Sequence, residues 1–309
     1  MLNFGLWGWP RGLYISLVTV LEVIKRSTEY LAQKGVESPR HNTEEMLAHL
    51  LKLPRLQLYL NFERALTEAE LEALRGSVKR RAQREPLQHI LGSASFCGLE
   101  IAVNRRALVP RPETELLAER AWRHLASLSP RSSTALDFGT GTGCLAIVLA
   151  AKVPEARLCA VDISGEALAL AQTNAQTHGV SARIQFSAGD GFLALPQGLL
   201  FDLIVSNPPY DPSAEIDTLA PEVRNFDPRA ALDGGPDGLD FYRRLAREAA
   251  SWLKPDGRIM LEFGDGQAEA LREIFSAQKW VVEAVEEDYS HRPRIFVGRC
   301  STIANQNHG

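Results

Sequence analysis

The chain has 309 residues, room for about two domains at the usual 100–200 residues each. Its hydrophobic (45%) and charged (23%) fractions are those of an ordinary folded protein, and a formal net charge of -4 excludes a global basic field that would draw nucleic acid. The four cysteines, Cys97, Cys144, Cys159 and Cys300, form no C-x-x-C pair and flank no histidine cluster, so free thiols in a reducing cytosol are expected and no metal site is.

No apolar run reaches the roughly 20 residues that span a bilayer. The opening MLNFGLWGWPRGLY lacks the basic region and apolar core of a signal peptide. Residues 1–18 read as a frayed extension, or as the product of an early start codon.

Residues 19–85 read as a small helical domain. Val20, Val23, Ile24 and Leu31 recur on one helical face. Ser38-Pro39 predicts an N-cap followed by proline at the first helical position. Thr67 and Glu70 predict a capping box, with Leu66 and Leu71 spaced for a hydrophobic staple. Lys79, Arg80, Arg81 and Arg84 form a basic cluster, read as a solvated helix face in preference to an RNA contact. Residues 86–112, punctuated by Pro86, Gly92, Gly98, Pro110 and Pro112, read as a linker with a hairpin that uses Leu99–Val103 as one strand.

A helix is predicted from Glu113 to about Leu125. Short apolar strands then alternate with helices. The strands are predicted at Ala135–Phe138, Leu158–Ile163, Arg183–Phe186, Phe201–Ser206, Arg258–Phe263, Trp280–Val285 and Arg294–Val297. Helices should follow Gly143, Ser164, Gly238 and Gly266. Such alternation predicts a mostly parallel sheet covered by helices on both faces. The last two strands are joined by a loop too short for a parallel crossover, so they should pair antiparallel. The expected fold is α/β, the Rossmann-like seven-stranded sheet of class I methyltransferases. That domain is expected over 113–300, with 301–309 as a tail.

Gly139-Thr140-Gly141-Thr142-Gly143 ends the first of these strands and opens a helix. Its glycines allow a tight turn and close approach of backbone to a ligand. The pattern is D-x-G-x-G-x-G, starting at Asp137. A dinucleotide fingerprint would be G-x-G-x-x-G, and Cys144 stands at its third glycine. An acid before the glycines suits a ligand with a cationic amino-acid end, which Asp137 could orient through water or backbone. Asp162, at the end of the next strand, is placed to accept both hydroxyls of a ribose. Asp190 and Gly191 follow the third strand. Asp190 could accept from an adenine amino group or serve as a helix N-cap, with the Gly191 backbone and the Phe192 ring flanking the base. The cofactor expected is S-adenosylmethionine.

The fourth strand runs into Asn207-Pro208-Pro209-Tyr210, expected beside the glycine turn at the switch point of the sheet. Consecutive prolines fix φ and remove two donors, leaving the carbonyls of Ser206, Asn207 and Pro208 as acceptors. Asn207 adds one acceptor and two donors. An amide or arylamine nitrogen is a poor nucleophile because its lone pair is delocalised. Paired acceptors can grip its N–H bonds and aim it at a methyl group. Tyr210 could pack on the planar face. These four residues are the candidate catalytic and substrate-binding set, and glutamine-like amide and adenine both fit.

Four blocks resemble the HemK-type protein-(glutamine-N5) methyltransferases that modify peptide chain release factors. They are Glu37-Ser38-Pro39-Arg40; Leu108-Val109-Pro110-Arg111-Pro112-Glu113-Thr114-Glu115; the glycine loop with N-P-P-Y; and Asp227-Pro228-Arg229-Ala230-Ala231-Leu232 with Gly234–Leu239, Asp288-Tyr289 and Arg292–Arg294. The likeness covers about residues 20–300. It implies that the acceptor is the glutamine of a Gly-Gly-Gln motif in a release factor, a tRNA-mimicking protein on which the helical domain would dock. It also implies that Asn207–Tyr210 hold the glutamine amide, with Asn207 near the methyl donor, and that Gly139–Gly143, Asp162 and Gly191 contact the cofactor. The expected enzyme is a cytoplasmic monomer with release factors as partners, no membrane and no direct nucleic acid. Two positions depart from the family pattern. Asp211 stands where an apolar residue usually follows the tyrosine, and Gly191 where an aromatic is common. The competing readings are an adenine-N6 methyltransferase, which shares N-P-P-Y, and a non-catalytic module, which a degraded loop would have favoured.

Overall fold

The computed structural model describes residues 18–128 and 132–301. The expectations for residues 1–17 and for the tail beyond 301 lie outside the described residues. Two units divide at residue 90.

In the first unit, α1 (Val20–Gln33) buries Val20, Val23, Ile24 and Leu31. It starts at a capping box not anticipated from sequence. The Glu22 N–H donates to Thr19 Oγ1 (3.3 Å), and the Thr19 N–H donates to Glu22 Oε2 (3.1 Å). In α2 (Pro39–Leu51), proline takes the first helical position, but the expected Ser38 cap is absent. Ser38 is left-handed (φ 46°) and its side chain makes no cap bond. Asn42 Nδ2 instead donates to the carbonyls of Glu37 and Ser38, both at 3.0 Å. The helix α3 (Glu68–Ala82) does begin at the predicted Thr67–Glu70 box, with Leu66 and Leu71 buried.

The buried Glu44 carboxylate accepts from Arg40 Nε, Arg55 Nη1 and the Tyr59 hydroxyl at 2.8–2.9 Å. Burial opposes its charge, and these bonds outweigh burial, holding the carboxyl below its ordinary range. The basic cluster is not a freely solvated face. Arg81 is buried and donates to Asn42 Oδ1 (2.7 Å), Arg80 pairs with both oxygens of Glu85, and Arg84 donates to the Gly35 carbonyl (2.8 Å). A short helix, α4 (Leu87–Leu91), runs across the unit boundary.

The second unit opens with the hairpin β1 (Ser93–Phe96) and β2 (Leu99–Ala102), turned at Cys97-Gly98, both at positive φ. Then come α5 (Pro112–Ser127), β3 (Thr134–Phe138), α6 (Cys144–Lys152), β4 (Arg157–Asp162), α7 (Gly165–Thr177), β5 (Ile184–Ala188) and β6 (Phe201–Ser206). They are followed by α8 (Pro221–Arg224), α9 (Asp240–Glu248), β7 (Leu253–Glu262), α10 (Ala268–Ala277), β8 (Trp280–Glu287) and β9 (Pro293–Cys300). The sheet order is β5-β4-β3-β6-β7-β9-β8. Strands β3 to β7 are parallel, and β9 runs antiparallel between β7 and β8.

Side-chain alternation divides the core between the two faces. Ala135, Leu203 and Val205 pack with Leu117 and Ala121 of α5 and the apolar α6. Leu136 and Ile204 pack with Tyr242 and Leu245 of α9 and Leu271 and Phe275 of α10, joined by Phe201, which lies before an irregularity in the β6–β7 register. Strand β7 starts five residues earlier than Arg258. It bends at Asp256 (φ 25°), and the Gly257 Cα lies so near the Phe201 carbonyl that a Cβ would sit 2.9 Å from it. A central β3, with β4 on one side and β6 on the other, puts the loops after β3 and β6 side by side at the carboxyl edge. That is where ligands bind in open α/β sheets.

Candidate active site

A cavity of about 310 Å³ opens at this edge, within the second unit. Its floor is the loop after β3. The N–H groups of Gly139 and Thr140 both donate to the Val161 carbonyl (2.9 Å), turning the loop back over β4. Gly139 and Gly141 take φ of 75° and 55°, where a side chain would be strained, and both line the cavity with Thr140 and Thr142.

Gly143 does not line the cavity. A Cβ there would sit 2.9 Å from Ala171 Cβ, so this glycine is required by the close packing of α6 on α7. Asp137 is also off the wall. It is buried beneath the loop, where Oδ2 accepts from the Thr140 hydroxyl (2.6 Å) and the Ala146 N–H (3.1 Å). Asn174 holds the loop from α7, with Nδ2 donating to the carbonyls of Thr142 (2.9 Å) and Ala102 (3.0 Å).

Asp162 lines the cavity. Its Oδ2 accepts the Gly141 N–H (2.8 Å) and its Oδ1 the Ser164 N–H (2.9 Å). Each oxygen keeps a lone pair for a further donor. Asp190 also lines the cavity and stands at the start of a 3-10 turn, but its side chain makes no cap bond. Arg244 of α9 binds it instead, at the carboxylate and at the backbone carbonyl (3.1 Å). Sequence reading missed Arg244.

Phe192 does not flank the cavity. Its ring is buried, 5.0 Å from that of Phe138 and 5.5 Å from that of Trp252. Phe138 and Ile163 are on the apolar part of the wall, and Ile163 is 70% exposed. Gly191 has no space for an aromatic. A Cβ would lie 2.7 Å from Phe138 Cζ, so the Phe138 ring stands where a side chain at 191 would begin.

Of the tetrapeptide, Asn207 and Pro209 reach the cavity wall, whereas Pro208 is buried and Tyr210 packs behind it. Ser206 Oγ donates to the Phe138 carbonyl (2.6 Å), tying the end of β6 to the end of β3. Asn207 Nδ2 donates to Thr114 Oγ1 (3.1 Å), and Thr114 Oγ1 donates to Glu262 Oε2 (2.6 Å). Burial pushes the Glu262 carboxyl up to about 7, against the Thr114 bond and the Arg294 charge, which lower it.

The Tyr210 ring lies on Gly264, where a Cβ would come within 3.1 Å of it. The Tyr210 carbonyl accepts from Gln267 Nε2 (2.9 Å), and burial raises the phenol far above its ordinary range. Gly234 and Gly238 press on the same segment, since Cβ atoms there would fall 2.9 Å from the Pro209 oxygen and 2.3 Å from the Tyr210 oxygen. The sequence blocks around Arg111 and Asp227 meet here as well. Arg111 Nη2 donates to Asp227 Oδ2 (2.5 Å), and the Val109 N–H points at Oδ1 (3.4 Å). Asp211 is half-buried, and burial raises its carboxyl.

Two family models match the chain, PrmC N-terminal domain over residues 22–92 and Methyltransferase small domain over residues 114–223. The release factor glutamine methyltransferase of Geobacter sulfurreducens is 46% identical over 91% of this chain and 96% of its own. The chain belongs to the release factor glutamine methyltransferase family. The family protein of Chlorobaculum tepidum is 44% identical over 89% of this chain and 95% of its own. A crystal structure of a methyltransferase from Pyrococcus furiosus shares the fold, with a TM-score of 0.50, 19% identity, and coverage of 71% of this chain and 97% of that one.

This methyltransferase uses S-adenosylmethionine, and the cavity fits it. Asp162 offers two lone pairs for a diol, the Phe138 ring and Ile163 offer apolar surface for a flat base, and the left-handed glycines bring backbone to the wall. Cys144 lies on the wall too. Burial pushes its thiol up to about 12, so it remains a neutral, weakly nucleophilic neighbour of an alkylating group. No helix among the described residues is long and apolar enough to cross a membrane.

The buried Asp137 makes the stability of the methyltransferase pH-dependent. Burial raises its carboxyl from 3.8 to about 7, partly offset by the Thr140 and Ala146 bonds. Between those values the native state holds a proton that the unfolded chain releases, so stability falls as pH rises. The stability of wild type relative to Asp137→Asn should therefore decline from about pH 4 to about pH 7 and be flat above. Urea midpoints across that range measure it, and a difference that grows with pH would refute it.

Proposed function

We propose that this enzyme methylates the side-chain amide nitrogen of the glutamine in the Gly-Gly-Gln motif of peptide chain release factors, modulating translation termination. The observation that carries the reading is Asn207. Its nitrogen is committed to Thr114, so Oδ1 is left as the acceptor beside the cavity. With a backbone carbonyl of the tetrapeptide as the second acceptor, it would form a pair matched to the two N–H bonds of a primary amide.

Gly139, Thr140, Gly141, Thr142, Asp162, Asp190 and Gly191 would hold the methyl donor, with Asn207 at its reacting end. Gly143 supports that loop from behind, and Pro208 and Tyr210 set the backbone that presents Asn207. When bound, S-adenosylmethionine supplies an electrophilic methyl on a sulfonium. The acceptor pair holds the amide plane and favours positive charge building on its nitrogen. Orientation alone supplies several kcal/mol of the barrier reduction, on the order of 7–11 in the best-oriented systems. The methylated nitrogen sheds one proton to water, so no general base is required.

Residues 19–85 would dock the release factor, 86–112 would link, and 113–300 would carry the chemistry, in a cytoplasmic monomer that contacts no nucleic acid directly. The test is methyl transfer to a purified release factor with mapping of the labelled residue. Label on the Gly-Gly-Gln glutamine is expected. Label on any other residue, or methyladenine in added DNA or RNA, would overturn the assignment.

A further inference from the structure

We propose that Thr114 and Glu262 are positioning residues that fix which end of the Asn207 side-chain amide faces the acceptor. The inference rests on the methyl-transfer reading above and deepens it. Three elements of the second unit meet at this point. Thr114 lies in the first turn of α5, Glu262 is the last residue of β7, and Asn207 is the first residue beyond β6. Because Ser206 pairs with Leu261, Asn207 and Glu262 follow the same rung of two adjacent strands. Thr114 bridges them from the helix and is 3% exposed, with Glu262 at 1%. The Glu262 backbone is held in turn, since its carbonyl accepts the buried Tyr242 hydroxyl (2.9 Å).

The direction of the relay follows from counting protons. A threonine hydroxyl has one to give. With Glu262 ionised, the state reached above about pH 7, it goes to Glu262 Oε2 at 2.6 Å. What remains on Thr114 Oγ1 is a lone pair, which can only accept. It therefore selects the NH₂ end of Asn207, seen at 3.1 Å, and rejects the carbonyl end. Oδ1 is turned to the cavity as a consequence.

A flipped amide would set Oδ1 against Thr114 with no proton between them, and would present two donors to a substrate that also brings two donors. Nothing in the tetrapeptide itself distinguishes the two orientations, because amide oxygen and nitrogen are nearly the same size. The glutamate thus acts on the acceptor through two hydrogen bonds, without touching it. The same chain accounts for the threonine in the block Pro110-Arg111-Pro112-Glu113-Thr114, which lies 93 residues from Asn207 in sequence.

The test is kinetic. Thr114→Val keeps the shape and removes the hydroxyl. It is expected to lower kcat about 10- to 100-fold while moving the KM for S-adenosylmethionine less than about threefold. Thr114→Ser should recover at least about tenfold of that loss. In an Asn207→Ala background, Thr114→Val should cost nothing further, because its effect passes through Asn207. Glu262→Leu, which removes the acceptor and frees the Thr114 proton for Asn207 Oδ1, should lower kcat in the same way, and carries the test if the valine variant fails to fold.

Unchanged kcat in well-folded Thr114→Val or Glu262→Leu would overturn the proposal. So would an equal additional loss in the Asn207→Ala background, or a serine variant as slow as valine. The wild-type reaction run beside them tests the acceptor separately. Label on an unexpected residue would sink that assignment, while the variant ratios, read on the residue labelled, still decide the relay.

Discussion

Asn207→Ala is expected to lower kcat by about 10²- to 10³-fold, the usual loss when one preorganised polar group is removed from a reacting centre. The protein should remain folded. Asn207 is half-buried and its side chain makes one hydrogen bond in the structure, to Thr114. Loss of such a bond costs stability only about 0.5–1.5 kcal/mol. The predicted rise in the barrier is about 3–4 kcal/mol, so the catalytic effect should dominate. Single-turnover methyl transfer to a release factor, read beside the thermal midpoint, separates the two. Asn207→Asp should also be impaired. A carboxylate cannot donate to Thr114. If Asn207→Ala retained near wild-type kcat, the account of the acceptor pair would fail.

Gly238→Ala should have a comparable effect from outside the cavity. The added Cβ would fall 2.3 Å from the Tyr210 oxygen and 2.8 Å from Gln267 Nε2, at a φ of 76° that alanine rarely adopts. The nearest atom is backbone, so the clash cannot be relieved by a rotamer change. The Tyr210 carbonyl must shift and loosen its bond to Gln267 (2.9 Å). A displacement of about 1 Å at the end of the tetrapeptide is expected to cost about 10²-fold in kcat. The backbone strain should lower stability by about 1–3 kcal/mol. Cofactor affinity should change much less, because Gly238 does not line the cavity. Calorimetric titration with S-adenosylmethionine beside steady-state rates checks both halves, and a rate within a few-fold of wild type would refute the argument.

The two expectations divide the recurring blocks of this chain by physical task. Asn207 and Pro209 form cavity wall, with the glycine loop and Asp162. Gly234 and Gly238 press on the backbone that presents Asn207. The Arg111–Asp227 pair ties the segment before α5 to the loop after β6, 116 residues apart in sequence. That pair explains why two blocks with no catalytic chemistry of their own accompany the tetrapeptide.

What could be read along the chain was whatever is set by near neighbours. Alternating apolar strands and intervening helices implied the sheet, because each strand must bury both faces. A loop too short to cross over implied the antiparallel end, realised as β9 between β7 and β8. The Thr67–Glu70 box was legible because both of its partners lie three residues apart. The Ser38 cap was not, since Asn42 competes for the same turn from within the helix and the serine takes a left-handed backbone.

The tetrapeptide, the glycine loop and the acid after β4 announced a methyl-transfer site by residue type and spacing alone. Which atoms of that site face the cavity was decided only by tertiary structure. Phe192 turned into the core, where Trp252 stacks on it and Phe138 packs at a tilt, leaving Ile163 on the wall. Asp190 acquired Arg244 from a helix 54 residues away. Asn207 acquired Thr114 from 93 residues away, and Thr114 acquired Glu262 from 148. Hydrogen bonds between such distant residues leave no periodic trace in a sequence, because their geometry exists only once β6, β7 and α5 have packed.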